Sequence, residues 1–223
     1  HRILALTCWL AAGSLTPGAA VGQEPMRVVR GSELISSDLP ALRIRLDSSF
    51  RFVDSISFPI GSIARGERFI FVDADDRVVR RLVVAQFERI LPTSPERYNY
   101  SFEQARTIAG YRFRQNPFAF SQAAAAAENP HGEAALTSRL LRNRGYRLGD
   151  QLISVRYLTV PDTARRRELI LFYIEPLATT PLSLDDLYTA GGEATPAWQS
   201  LSEALASRAE MAFAILPARV PRG

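Results

Sequence analysis

The residues best placed for chemistry lie in the stretch 67–91, ERFIFVDADDRVVRRLVVAQFERIL. Its second half carries Arg80, Gln86 and Glu88 at even spacing among Val78, Leu82 and Val84. Residues two apart on a strand share a face, so this spacing predicts one face with a polar set. A carboxylate on a covered face needs a partner. Arg112 and Arg114 share one side of a short alternating segment and are the expected partners of Glu88. Tyr98, Tyr100 and Tyr111 would line the rim of a pocket floored by that polar set. Glu175 is a second carboxylate near a strand end, and paired carboxylates are the apparatus of glycosidases.

Other chemistry has less material. His131 is the one histidine besides His1. General base work falls most often to histidine, but the common zinc sites need several His or Cys ligands. His131, between Pro130 and Gly132 at the start of an expected helix, is therefore a candidate site residue and not a metal centre. Asp73-Ala74-Asp75-Asp76 has the acidity of a calcium loop. An EF-hand counted from Asp73 would need Gly and Glu where Val78 and Val84 stand, so the run is expected to be a hairpin turn. GxSxG, HExxH, Walker A, CxxC and GxGxxG motifs are absent, and no metal or cofactor is implied.

The elements that must position these residues follow from periodicity. Leu42, Ile44 and Leu46 alternate with Arg43, Arg45 and Asp47, the pattern of a half-buried strand. Phe50 to Phe58 alternates again. Phe69 to Val72 and Glu168 to Glu175 are apolar on both faces, which predicts interior strands. The strand from Val78 to Leu91 is too long to run straight, and a bend is expected near Ala85-Gln86. Ser101 and Gln104 have capping-box spacing, predicting a short helix that stops at Gly110. Asn116-Pro117 and Asn129-Pro130 read as helix starts, the first leading into five alanines, the second running to about Asn143 and ending at Gly145. Ser183 caps a short helix. Thr195-Pro196 opens a last one, with Trp198, Leu201, Leu205, Ala209, Ala212 and Leu216 on its apolar face. Strand blocks around a helical insert predict an α+β fold: an antiparallel sheet of about six strands in two hairpin blocks, with the helices packed on one face.

Residues 1–22 have the charge, apolar core and small-x-small site (Ala20-Val21-Gly22) of an N-terminally incomplete signal peptide. Gly13, Ser14, Pro17 and Gly18 interrupt it too often for a transmembrane anchor. Residues 23–40 read as a linker, 41–216 as one domain and 217–223 as a flexible tail. The expected location is the bacterial periplasm or the outside of the cell. The single cysteine, Cys8, lies in the leader, so the mature domain would have neither disulfides nor thiol chemistry.

All 27 basic residues are arginine, and the net charge is +4. That balance, with no long basic run, gives no nucleic-acid footprint. Arg165-Arg166-Arg167 is expected to be a solvated hairpin tip. With Arg139, Arg142, Arg144 and Arg147 it would alternatively form a basic patch for an anionic envelope component. The chain is thus expected to be an exported, non-enzymatic binding domain for an apolar or amphipathic small molecule or such an anion. The alternative is a carboxylate-dependent hydrolase of envelope or extracellular polymer, centred on Glu88.

Overall fold

The computed structural model describes residues 26–218. The segment read as a leader, with Cys8, and the residues after 218 lie outside them. In chain order the strands are β1 (Arg27–Arg30), β2 (Glu33–Ser36), β3 (Leu42–Leu46), β4 (Arg51–Ile60), β5 (Ala64–Asp75), β6 (Val78–Ile90), β7 (Arg106–Ile108) and β8 (Tyr111–Ser121). Helices α1 (Gln122–Glu128) and α2 (Glu133–Asn143) come next, then β9 (Gln151–Thr159) and β10 (Arg167–Pro176). Helices α3 (Leu184–Leu187) and α4 (Pro196–Ala212) precede β11 (Phe213–Pro217).

These strands make two antiparallel sheets, in the orders β1-β2-β3-β11 and β4-β5-β6-β10-β9-β8-β7. The expected α+β character with antiparallel pairing holds. The six-strand count and the one-sided helices do not. β1 and β2 form in the segment read as linker, and β11 in the end of the stretch read as the last helix.

Both faces of the large sheet are covered. Ile70, Val72, Leu82, Val84, Leu152 and Ile174 pack on one side with Leu141 of α2. Phe69, Phe71, Val83, Phe87, Leu169, Leu171 and Tyr173 face the other side. There they meet Trp198, Leu205, Ala209 and Ala212 of α4 and Leu34, Leu42 and Ile44 of the small sheet. This two-sided burial is why β5 and β10 read as apolar on both faces. α4 is further pinned where Arg208 donates to both oxygens of buried Glu175 at 2.8 Å. The Tyr173 hydroxyl donates to the same carboxylate.

Four local expectations fail for identifiable reasons. The β5–β6 turn is Asp76-Arg77, with φ of 43° and 63°, the left-handed pair that a two-residue hairpin loop requires. The irregularity in β6 falls where Asp73 faces Arg81 and Ala74 faces Val79, so Arg80 is the extra residue and not Ala85 or Gln86. Residues 101–105 form no helix; Ala109 and Gly110, with φ of 53° and 85°, instead turn the β7–β8 hairpin. Asn116-Pro117 lies inside β8. The Ala119 N–H points off the β9 side to the Tyr188 hydroxyl, so the missing N–H of Pro117, two residues back, also faces the open edge and costs no ladder bond. The helix waits for Ser121, whose hydroxyl accepts from Ala124 N.

Candidate functional site

The register across four strands builds a polar centre on the α2 side of the sheet. Phe58, Gly66, Glu88 and Glu168 stand in one row, because Phe58 pairs with Gly66, Gly66 with Glu88, and Glu88 with Glu168. Gly66 must lack a side chain, since a Cβ there would meet the Phe58 ring at 2.5 Å. The next row holds Arg68, Gln86 and Ile170.

Arg68 is buried. Its Nε donates to Gln86 Oε1 at 2.6 Å, and its Nη1 donates to Glu133 O at 2.9 Å and to Thr137 Oγ1. Glu133 Oε2 lies 3.9 Å from its guanidinium. The Arg68 cation thus fastens the first turn of α2 to the sheet. Burial lowers its pKa to about 10, against the pull of Glu133 and Glu88. Gln86 passes the network on, donating from Nε2 to Glu133 Oε1 and to Glu88 Oε1.

The outer cover is the segment 92–105. The Tyr98 hydroxyl donates to Glu88 Oε2 at 2.9 Å, and the Tyr100 hydroxyl faces Glu168. The two rings stack with centroids 6.2 Å apart. Behind them Arg156 approaches Glu168 from β9. Burial raises the Glu88 carboxyl, and the hydrogen bonds from Gln86 and Tyr98 work against that rise. Glu168 is only 2% exposed. Burial first, and the Glu88 charge second, push its pKa up to about 8. Its Oε1 and the Nε of Arg156 are buried without a partner among the described residues.

The opposite face of the same strand ends is open. One residue along, Arg89 stands opposite both Arg65 and Arg167. The Ile90 N to Arg166 O bond sets the phase of the ladder, putting Arg89 and Arg167 in the close, non-hydrogen-bonded type of pair. These arginines line a groove of about 570 Å³ with Arg27, Asp38 and Glu67. Arg167 pairs with Asp38, and Arg27 pairs with Glu67 at 3.0 Å and Asp38 at 3.7 Å. The Arg27 guanidinium lies 4.0 Å from the centre of the Phe87 ring, and its Nε is buried without a partner among the described residues. Burial would raise the Asp38 carboxyl, but hydrogen bonds from Arg167 and the Leu39 backbone bring it below the ordinary value. Arg65 and Arg89 have no ion pair among the described residues. Met26 and Leu39, 43% and 40% exposed, form an apolar rim beside them.

Of the residues singled out in the sequence, Gln86, Glu88, Tyr98 and Tyr100 meet. The others do not. Arg80 sits in the bulge and donates to Asp73 at 3.0 Å, far down the strand from Glu88. Tyr111 packs against the other core and accepts from Ala41 N through its hydroxyl. Arg112 donates to Phe102 O. Arg114 is exposed, three strands away from Gln86 across β10 and β9. His131 is exposed and lines a separate groove with Phe58 and Glu133. Glu175 faces α4, on the opposite side of the sheet from Glu88, so the two are no catalytic pair.

The partners that sequence reasoning missed are Arg68, Glu133, Arg156 and Glu168. Nor is the arginine triplet a solvated tip. Arg165 donates to the carbonyls of Tyr98 and Tyr100, and Arg166 to those of Leu91, Ser94 and Glu96, stapling the segment that carries the tyrosines. Among the described residues no group of three His, Cys, Asp or Glu side chains is arranged to hold a metal ion, and no helix is long and apolar enough to cross a membrane. Comparison with protein-family models, with curated proteins and with solved structures returns no match.

Proposed function

We propose that the chain is an exported binding domain whose ligand is an anionic amphiphile, held in the groove between the small sheet and the β5–β6–β10 strand ends. The observation that carries this is the row Arg65, Arg89, Arg167 beside the exposed Met26 and Leu39. Like charges directly opposed across strands are unfavourable, and among the described residues only Arg167 of the three has an acidic partner. A phosphate or carboxylate head would be held by Arg65 and Arg89 in the forked geometry that guanidinium offers. An alkyl or aromatic tail would cover Met26, Leu39 and the Pro59 side of the groove. Export rests on the leader sequence alone.

Calorimetric titration with dodecyl phosphate, below its micelle concentration, tests this. Binding should be saturable, at least tenfold tighter than for dodecanol or inorganic phosphate, and at least tenfold weaker in the double variant Arg65→Ala/Arg89→Ala. Equal binding of dodecyl phosphate by the double variant would remove the reading.

The opposed Glu88 and Glu168 favour a second reading, acid–base hydrolysis. It ranks below the first because Glu168 lies beneath Tyr98 and Tyr100 with almost no exposed surface. A substrate would have to displace the stapled segment before reaching Glu168.

A further inference from the structure

The buried carboxylates carry a conclusion that does not depend on the groove. We propose that Glu88 and Glu168 form one proton-binding site, with the proton on Glu168, and that this proton lets the segment 92–105 close over the sheet.

The argument begins with hydrogen bonding. Both oxygens of Glu88 are occupied as acceptors, Oε1 by Gln86 Nε2 and Oε2 by the Tyr98 hydroxyl. Acceptor-only bonding suits a charged carboxylate. Glu168 has one oxygen with no partner among the described residues. It stands directly opposite Glu88 on the neighbouring strand, where two charges cannot both be held in a dry site. The neutral member of the pair is therefore Glu168.

The charged and titratable groups that face the pair come from every element around it. Arg68 comes from β5, Glu133 from α2, Arg156 from β9, and Tyr98 and Tyr100 from the covering segment. The two arginines do not neutralise three carboxylates. Arg68 is spent on Gln86, Thr137 and Glu133 O, and the Nε of Arg156 finds no acceptor among the described residues.

Loss of the Glu168 proton to solvent leaves two opposed carboxylates that need hydration. Glu88 is half-buried and borders the groove, but water reaches Glu168, beneath the tyrosines, by lifting Tyr98 and Tyr100. Arg166 keeps its charge and its hold on the carbonyls of Leu91, Ser94 and Glu96, so the segment opens at Tyr98 and Tyr100, where the Arg165 contacts and the Tyr98 N–H bond to Arg165 O give way, while still tethered at its base.

Two measurements on the whole chain test this. Carbon-detected NMR of the glutamate carboxyl groups should show one group titrating near pH 8 and moving toward the ordinary range in Glu88→Gln. Hydrogen exchange of the Tyr98 amide, corrected for the intrinsic rate at each pH, should lose at least tenfold protection between pH 6 and pH 9.5. In Glu168→Gln that protection should stay flat, because a neutral side chain of the same shape replaces the acid. If every glutamate of the wild-type chain titrates in the ordinary carboxylate range, the proposal fails, and that experiment needs no variant. Equal loss of protection in Glu168→Gln also overturns it.

Discussion

Two like-charged pairs stand back to back on the same two strands. On one face Glu88 opposes Glu168, and one residue along, on the other face, Arg89 opposes Arg167. The acid pair is covered by tyrosines and α2; the arginine pair borders an open groove with Asp38 beside it. A carboxylic acid can shed its charge at moderate pH, so a Glu pair can be buried at the cost of a retained proton. A guanidinium cannot. An Arg pair must be met by a counter-ion, by solvent or by a ligand, and it stays at the surface. The same ladder geometry thus underlies both the proton site proposed on one side and the anion site proposed on the other.

The largest way to break the contrast is to remove the one buried cation of the acid face. Arg68→Ala leaves Gln86, Thr137 and the first turn of α2 without their shared donor, and Glu133 and Glu88 without its charge. Breaking such a buried ionic network costs about 3 kcal/mol. Urea denaturation should report a loss of that size; a loss below about 1 kcal/mol would mean that α2 is held by its apolar contacts alone.

Next in size is the pH dependence of the acid face. Glu168 has a folded pKa of about 8 against an ordinary value of 4.5. The folded state therefore binds the proton more tightly than the unfolded chain. Its contribution is fully present below about pH 4.5, declines as pH rises toward 8, and changes no further above that. The total is on the order of a few kcal/mol, with the same sign from Glu88, whose pKa is also raised. Stability of the wild type should fall across that window, and the fall should be much smaller in Glu168→Gln. A wild-type profile that rises from pH 5 to pH 8 would reverse the assignment of the proton.

The arginine face should answer in the opposite direction and more weakly. Arg89→Gln removes a charge from between Arg65 and Arg167 and breaks no ion pair among the described residues. Stability should be unchanged or rise by up to about 0.5 kcal/mol, since exposed charge interactions are small. A loss above about 1 kcal/mol would show that Arg89 has a structural role and that the row is not strained.

What the sequence disclosed of this arrangement follows physical lines. Interior strands were legible because Phe69 to Val72 and Glu168 to Glu175 carry apolar residues on both faces. α4 was legible through its Thr195-Pro196 start and apolar spacing, and α2 through its end at Asn143, but Asn129 caps the end of α1 and α2 starts only at Glu133 after Gly132. Gln86 and Glu88 could be assigned to a polar face because both lie in one uninterrupted run of β6. Arg80 was assigned to that face wrongly, because one extra residue in a strand switches which side every residue before it occupies, and periodicity alone does not locate the bulge. Arg68 and Glu168 were out of reach for a different reason. Their meeting with Gln86 and Glu88 depends on the register of the β5–β6 hairpin and on β10 pairing with β6 across about eighty residues of chain, neither of which is a local property.

Arg114 makes the same point at the smallest scale. Parity places it on the Gln86 face, in the row Arg68, Gln86, Ile170, Leu158, Arg114, so its side was inferred correctly. The inference that it pairs with Glu88 fails on distance. Three strand spacings separate β8 from β6, roughly 14 Å, beyond the reach of a guanidinium. Arg114 is exposed and has no ion pair among the described residues. Arg114→Ala should therefore melt within about 0.5 kcal/mol of the wild type, as surface substitutions do. Because Glu88 keeps Gln86 and Tyr98 as its partners, the variant should also leave the pH profile of the acid face in place. If it instead moved that profile, the charge of Arg114 would be reaching Glu168 along the sheet, and the proton site would extend over β9 to the strand at its edge.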